Sequence, residues 1–289
     1  MSNADKLQRF TFDNTHVRGE ILGLSKTLKD LFARQSYPEP VQNVLSELLA
    51  AAGLLSATIK IEAMLTLQLQ TTGAIRLLMA EVNEKGEMRG IARLDEGQSL
   101  NADNLLGEGQ LVITIQPLQG KAYQGIVPLT GGTVSSAIET YFNQSEQLGT
   151  RVWLKAEKQQ AAGFMLQEMP ATAKPDADAW QRLCHLADTI KTEELLYLAN
   201  DELLHRLYHE ESVRLYDASG LSFRCSCSRA RMGDAVHKLG YQECQEVINE
   251  QGKIRVDCHF CGQHYSFDQS DVDGLFPLEA AKANANKLH

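Results

Sequence analysis

The segment Pro40 to Gln70, PVQNVLSELLAAAGLLSATIKIEAMLTLQLQ, changes its hydrophobic period part-way along, and that change decides the fold class. Over 40–57 apolar residues recur at three- and four-residue spacing, with Pro38 and Pro40 at the entry, which predicts an amphipathic helix. From Thr58 to Gln70 the period drops to two, so Ile59, Ile61, Leu65, Leu67 and Leu69 share one face of a half-buried strand. Working outward, helical spacing also marks 23–35. Strand candidates follow at Ile75–Val82, Met88–Leu94, Leu111–Gln116, Ala122–Leu129, Arg151–Lys155 and Gly163–Gln167. Glycine-containing turns separate most of them, as a meander or barrel-like antiparallel sheet requires. Thr133 to Leu148 interrupts them as one amphipathic helix. The result is an α+β domain of mixed helix and antiparallel sheet.

Composition shifts at MPATAKPDADA, residues 169–179, where Pro and Ala replace the alternation. From Trp180 to Glu211 a helical pattern returns, with Trp180, Leu183, Ile190, Leu195, Leu198, Leu203 and Leu207. An ordinary pair of core helices produces such a pattern, and so does a detachable helical linker lying over an apolar surface of the first domain. The expected division is an α+β core at 1–172, a helical linker at 173–220 and a small C-terminal zinc-binding domain at 221–289.

A chain of 289 residues with 43% hydrophobic residues has ample material for more than one core. Only six cysteines occur, and five of them fall in the last quarter, which points to metal or redox chemistry in a reducing compartment rather than to extracellular bridges. The N-terminus lacks an apolar signal-like region, and no apolar run approaches the ~18 residues of a membrane span. The expectation is a cytoplasmic protein without a membrane partner. A net charge of −9 argues against nucleic acid, and the segment from Leu221 onward holds eight Lys or Arg against nine Asp or Glu, so it is no basic finger.

Cys225 and Cys227 form a C-x-C pair, and Cys258 and Cys261 a C-x-x-C pair after a 30-residue spacer. Closed all-cysteine zinc sites draw four thiolates in two such pairs into a tetrahedron, so these are the candidate ligands of one zinc ion. The spacer, with apolar positions at 235–239 and 244–248, has room for one or two short helices. Arg224, Arg229, Arg231, Lys253 and Arg255 flank the ligands in sequence, either favouring the thiolate form or forming a solvated face.

Distances make this site sensitive to oxidation. Thiolates at about 2.3 Å from one zinc sit about 3.8 Å apart, whereas a disulfide needs about 2.05 Å. A ligand pair that becomes a disulfide therefore gives up the metal. Structural zinc contributes about 10–16 kcal/mol to small modules, and a module of about 60 residues has only a few kcal/mol of its own. A C-x-C disulfide closes too short a loop to restore that order.

Cys184 beside His185 is not a catalytic dyad, because neighbours on a helix point to different faces; it reads as a buried structural cysteine. Cys244 reads as packing. His259 and His264 flank the second pair and are alternative ligands only if a thiol is not used. The stretch GLSKT at 23–27 misses the phosphate-loop pattern, and no dinucleotide, zinc-protease or serine-hydrolase motif occurs. No catalytic set emerges, so the expectation is a protein that is not an enzyme. The alternatives are a zinc ribbon that binds a partner and a thiol–disulfide oxidoreductase using C-x-x-C; an iron centre in the same thiolates is a lesser one.

Beyond the cysteines, RFTFDNTHVRGE (9–20), YPEPVQNVLSELLAAAGLLSATIK (37–60), MRGIARL (88–94), YQGIVPL (123–129), YFNQSEQLGTR (141–151), TIKTEELL (189–196) and LYHEE (207–211) occur in the order of one family's segments. Together with C-S-C and C-H-F-C they make the chain resemble, over essentially its full length, the redox-regulated thirty-three-kilodalton heat-shock chaperones. The resemblance implies an ATP-independent holdase of the bacterial cytoplasm, inactive when reduced and zinc-bound. It implies activation by oxidation to two disulfides, Cys225 with Cys227 and Cys258 with Cys261, with zinc release and loss of structure in the linker. It also implies a homodimer when active and unfolding or oxidatively damaged proteins as clients.

Overall fold

In the computed structural model, which describes residues 4–100, 105–170, 176 and 178–279, the chain opens with two strands that periodicity does not mark. These are β1 (Lys6–Phe12) and β2 (Val17–Leu24). Strand β2 is buried on both faces, which removes the polar alternation that would have announced it. Gly23 and Leu24, expected to begin a helix, end this strand instead. Helix α1 (Lys26–Phe32) starts later because the Asp5 carboxylate accepts the backbone N–H groups of Lys26 and Thr27, at 2.9 and 2.8 Å. That cap comes from across the fold and is invisible to local pattern.

The decisive segment forms α2 (Glu39–Ser56) and β3 (Ala63–Thr71). The strand begins at Ala63, not Thr58, so Ile59 precedes it and Ile61 is exposed. There follow β4 (Ile75–Val82), β5 (Glu87–Leu94), β6 (Gly109–Pro117) and β7 (Tyr123–Pro128), close to expectation. Helix α3 (Val134–Tyr141) is capped by Thr133, whose side chain accepts from Ser136 N. It passes into a π-turn at Phe142–Glu146 and ends where Gln147 adopts φ 54°, before the expected limit at Leu148. Strands β8 (Thr150–Glu157) and β9 (Gln160–Glu168) form a hairpin.

The expected linker region holds three short helices, α4 (Ala179–Ala187), α5 (Thr192–Tyr197) and α6 (Asn200–Tyr208), rather than a pair. Extended backbone at Lys191 and at Leu198 and Ala199 breaks the helical run. The expected boundary at 172/173 lies outside the described residues. Short strands β10 (Val213–Leu215), β11 (Ser219–Gly220) and β12 (Ser222–Phe223) complete this part. By contacts the chain divides into two units, Met1–Arg224 and Cys225–His289, so α4–α6 belong to the first.

The sheet is neither a simple meander nor a barrel. There are two six-stranded sheets, one in the order β10-β1-β2-β9-β8 with β11 also on β1, the other in the order β12-β5-β4-β3-β6-β7. The early strands β1 and β2 pair with each other and β2 with the late strand β9, which divides the strands between two sheets. Helix α2 packs against β2, β8 and β9 of the first sheet and β3, β4 and β5 of the second. Its run Leu48 to Leu55 is buried almost all round, as a helix between two layers must be. Residues 219–224 stitch the sheets together: Leu221 N bonds Asp5 O at 2.8 Å, while Ser222 N and Arg224 N bond Gly86 O and Met88 O at 3.0 and 2.9 Å.

The first sheet buries both faces. Leu22, Leu24, Val152, Leu154 and Met165 join α2 in one cluster. Phe10, Phe12, Val17, Ile21, Phe164 and Leu166 point the other way, against Leu183, Leu195, Leu203, Leu207 and Tyr208 of α4–α6. Phe10 lies over Gly19 of the neighbouring strand, where a Cβ would fall 2.0 Å from a ring carbon, so only glycine fits there.

Glu47 of α2 carries a pH dependence. Burial pushes its carboxyl up to about 7, with Lys155 opposing. The native state thus holds a proton that the unfolded chain releases near pH 4.5, so the contribution is full below that pH and is lost as pH rises through about 7. Denaturant unfolding of the first unit should weaken by on the order of 2 kcal/mol between pH 5 and pH 8 through this group, a slope that Glu47→Gln removes. Midpoints at the two pH values for both proteins check it.

The second unit contains α7 (Arg229–His237), α8 (Tyr241–Gln251), the hairpin β13 (Ile254–Asp257) and β14 (His264–Phe267), and α9 (Gln269–Leu275). The two helices occupy the spacer as expected; the hairpin was not foreseen. Its core is small, formed by Val236, Cys244, Ile248, Ile254, Phe267, Val272 and Phe276.

Candidate metal and redox centre

The second pair of cysteines is placed by the hairpin. Strand β13 ends at Asp257, and the next four residues make a tight turn in which Cys258 O accepts from Cys261 N and Gly262 N, at 3.3 and 2.8 Å, while Cys258 N donates to Gln263 O at 2.9 Å. Gly262 takes φ 66°, a conformation that favours glycine, and the chain then returns along β14. The first pair lies on the extended segment before α7, whose start is fixed by Ser228 Oγ accepting from Arg231 N at 3.2 Å. Arg231 Nη1 also grips Ser226, the residue between the two cysteines, through its O at 3.1 Å and its Oγ at 2.6 Å.

These local structures bring the four sulfurs within 4.8 Å of one another. Cys225 Sγ is 3.5 Å from Cys258 Sγ, and Cys227 Sγ is 3.4 Å from Cys261 Sγ. Such separations are near the ~3.8 Å of thiolates around one tetrahedral ion and well beyond a disulfide bond. Cys258 and Cys261 are buried, while Cys225 and Cys227 are half-buried. Four sulfurs converging in this way can hold a metal ion, and among the described residues no histidine joins the group. His264 instead pairs through Nδ1 with Asp257 Oδ1 at 2.5 Å.

The flanking cations do less than their sequence positions suggest. Arg224 lies in the first unit and pairs with Glu87 at 2.5 Å. Arg229 binds Asp271 at 2.6 Å and covers the Phe267 ring at 4.7 Å. Lys253 and Arg255 are exposed. Sequence reading missed a side-chain donor to one of the sulfurs: Tyr265 Oη–H donates to Cys227 Sγ at 3.2 Å. Burial works against ionising Cys227, yet the hydrogen bonds it accepts, from Tyr265 first and then from the neighbouring thiols, bring it down to about 7. Burial keeps Cys225 and Cys261 above the ordinary thiol value.

The other two cysteines are packing groups. Cys184 sits among the aromatic and leucine side chains under α4, where burial pushes its thiol up to about 12 and makes it a poor nucleophile. Cys244 is fully buried in the small core, its Sγ 3.6 Å from Val236 O.

The family model described as Hsp33 protein matches residues 5–268. The chain belongs to the Hsp33 family. The 33 kDa chaperonin of Pseudomonas aeruginosa strain LESB58 is 46% identical over the full length of both chains. That of Azotobacter vinelandii is 46% identical over 96% of each. The crystal structure of the 33 kDa chaperonin, a heat-shock protein 33 homologue, from Thermotoga maritima superposes with a TM-score of 0.83 at 19% identity, over 96% of this chain and 99% of that one. At so low an identity this last likeness shows the shared fold, which the two sheets, helices and cysteine cluster described above fit. Family membership makes the chain a chaperone, and that family binds unfolded proteins. Among the described residues no helix is long and apolar enough to cross a membrane.

Proposed function

We propose that the protein is a redox-regulated, ATP-independent holdase, inactive when reduced and zinc-bound and switched on by oxidation. The observation that carries this reading is the pairing of a four-sulfur centre with an apolar sheet face that α4–α6 cover. All-sulfur donors suit zinc, which Cys225, Cys227, Cys258 and Cys261 would hold as thiolates. When bound, the ion cross-links the two halves of a unit whose own core is too small to be stable.

Oxidation to Cys225–Cys227 and Cys258–Cys261 disulfides removes two ligand pairs at once and releases the ion. The two short sulfur contacts run between the pairs, and every sulfur is within 4.8 Å of the others, so the family pairing is within reach from this arrangement. The chain passes directly from Arg224, which ends the strap of residues 219–224 that stitches the two sheets of the first unit, to Cys225. Loss of order beginning at Cys225 then reaches the strap and the linker helices, and Phe10, Phe12, Val17, Phe164 and Leu166 become a client surface for thermally unfolding or oxidatively damaged proteins. The active form is a homodimer in the cytoplasm, with no nucleic-acid or membrane partner and no enzymatic turnover.

Zinc release and thiol content followed together during peroxide treatment at elevated temperature test the switch. One zinc per chain leaves as four thiols disappear, and the thiols of Cys184 and Cys244 persist. Catalytic turnover of disulfide substrates with zinc retained would contradict it and favour an oxidoreductase.

A further inference from the structure

Helix α2 fills the space between the two sheets and ends at Ser56, and beyond its last turn the wedge between the layers stays open. A cavity of about 390 Å³ lies there. Leu55, Leu65, Ile113, Ile115 and Phe142 give it apolar walls, and Ile61 and Tyr123, 56% and 45% exposed, stand at its rim. The Tyr141 ring forms part of one side. It lies over Gly125 of β7, where a Cβ would fall 2.6 Å from a ring carbon, and its hydroxyl donates to Glu146 Oε1 at 2.8 Å.

A half-buried cation, Arg18, lines this apolar space. Arg18 of β2 stands opposite the fully buried Gln167 of β9. Gln167 Oε1 accepts from Arg18 Nε and Nη2 at 3.2 and 2.6 Å, while Gln167 Nε2 donates to Thr150 Oγ1 at 3.1 Å. One edge of the guanidinium is thus held by a side chain that is itself anchored to β8. The nearby carboxylate has a cation of its own: Glu20 Oε1 accepts from Arg9 Nε at 3.2 Å, and Arg9 also donates to Ala57 O at the end of α2. Among the described residues no carboxylate comes within ion-pair distance of Arg18 or of Lys121, an exposed cation on the rim. Arg9, Arg18 and Lys121 therefore outnumber Glu20 and Glu146 around this end of α2. Burial lowers the Arg18 guanidinium and raises the Glu20 carboxyl from their ordinary values, which marks the buried charge as under-compensated.

We propose that this cavity binds a medium-chain acyl carboxylate, its head on the open edge of the Arg18 guanidinium and its chain between the sheets. A planar guanidinium offers paired donors that match a carboxylate, and a concave apolar site with a few convergent polar groups is the usual form of a small-molecule site. A cationic ligand would meet Arg18, and a neutral one would leave its charge as under-compensated as before. Arg18 and Gln167 lie on the face of the first sheet that carries Leu22 and Met165 toward α2, whereas the surface assigned to clients is the opposite face, under α4–α6. The inference is therefore independent of the redox-switch reading.

Calorimetric titration of decanoate into the reduced, zinc-loaded full-length protein tests it, with decanol and decyltrimethylammonium as probes of equal chain length. Decanoate should bind one-to-one and about tenfold or more tighter than decanol, and the ammonium should not bind. Arg18→Met, which keeps an unbranched side chain and loses the charge, should weaken decanoate about tenfold or more and leave decanol unchanged. Ile115→Trp, which fills the cavity from β6, should abolish binding of both, and with it the rise in the thermal midpoint of the first unit that decanoate gives the wild type. Should either variant fail to fold, Lys121→Glu on the exposed rim should still weaken decanoate about threefold at low salt, an effect that high salt removes. Absence of saturable decanoate binding, equal affinity for decanol, an unchanged affinity in Arg18→Met or binding that survives Ile115→Trp overturns the site.

Discussion

Removing the metal should unfold the second unit and leave the core of the first intact. The expected result of Cys258→Ser is loss of amide-exchange protection at Val236, Ile248 and Phe267, with protection at Leu48 and Leu67 retained. The argument is one of magnitude. The second unit buries a handful of apolar side chains around Val236, Ile248 and Phe267 and contains a four-residue hairpin pair. Such a core rarely exceeds about 3–5 kcal/mol, whereas a structural zinc site contributes about 10–16 kcal/mol. Serine at Cys258 removes a buried ligand and leaves three sulfurs, so the larger of the two contributions is lost. The first unit has separate clusters around α2 and under α4–α6, which do not depend on the ion. Retained protection at Val236, Ile248 and Phe267 in zinc-free Cys258→Ser would show that the small core is sufficient alone.

Leu203→Asp should produce a holdase that needs no oxidant. Leu203 is 1% exposed and belongs to the cluster formed with Phe10, Phe12, Phe164 and Tyr208. A carboxylate there is set among the apolar and aromatic side chains of the cluster, and an unpaired buried charge costs about 4 kcal/mol or more. Three short helices of nine, six and nine residues cannot hold themselves on the sheet against that cost. They detach while α2 and both sheets remain, and the aromatic face of the first sheet opens to solvent. Reduced, zinc-loaded Leu203→Asp should then suppress client aggregation as well as the oxidised wild type. Leu203→Ala, which leaves a cavity without a charge, should fall between the two. If Leu203→Asp stays folded, exposes this face and yet suppresses nothing, clients bind elsewhere.

Much of the fold was legible where burial was one-sided. Helix α2 over its first half, before the all-round burial of Leu48 to Leu55, and strands β4 to β7 show their period because each has a face or stripe of contrasting polarity. Strand β2 was hidden for the opposite reason: Ile21 faces one cluster and Leu22 the other, and with both faces buried no alternation survives, while β1 alternates only over the short run Arg9 to Phe12. Strands β11 and β12 are two residues long, set by pairing with Lys6, Leu7, Glu87 and Met88 across the fold. At the centre, the convergence of the four cysteines was legible from spacing, because a tetrahedral metal site demands close pairs. The arginines were misleading, since adjacency in sequence says nothing about where a long side chain finds its carboxylate, as Arg229 does at Asp271. Tyr265 was not legible, because its contact with Cys227 depends on the register that places it opposite Val256.

The central claim is that oxidation of the four-sulfur centre converts an inactive protein into a holdase. Light scattering of a heat-denaturing client protein, with the reduced zinc-loaded chaperone in one cuvette and the peroxide-treated, zinc-free chaperone in the other, tests it most directly. The account predicts strong suppression of aggregation by the oxidised protein and little by the reduced one, reversed when the disulfides are reduced in the presence of zinc. Equal suppression by both forms would contradict it.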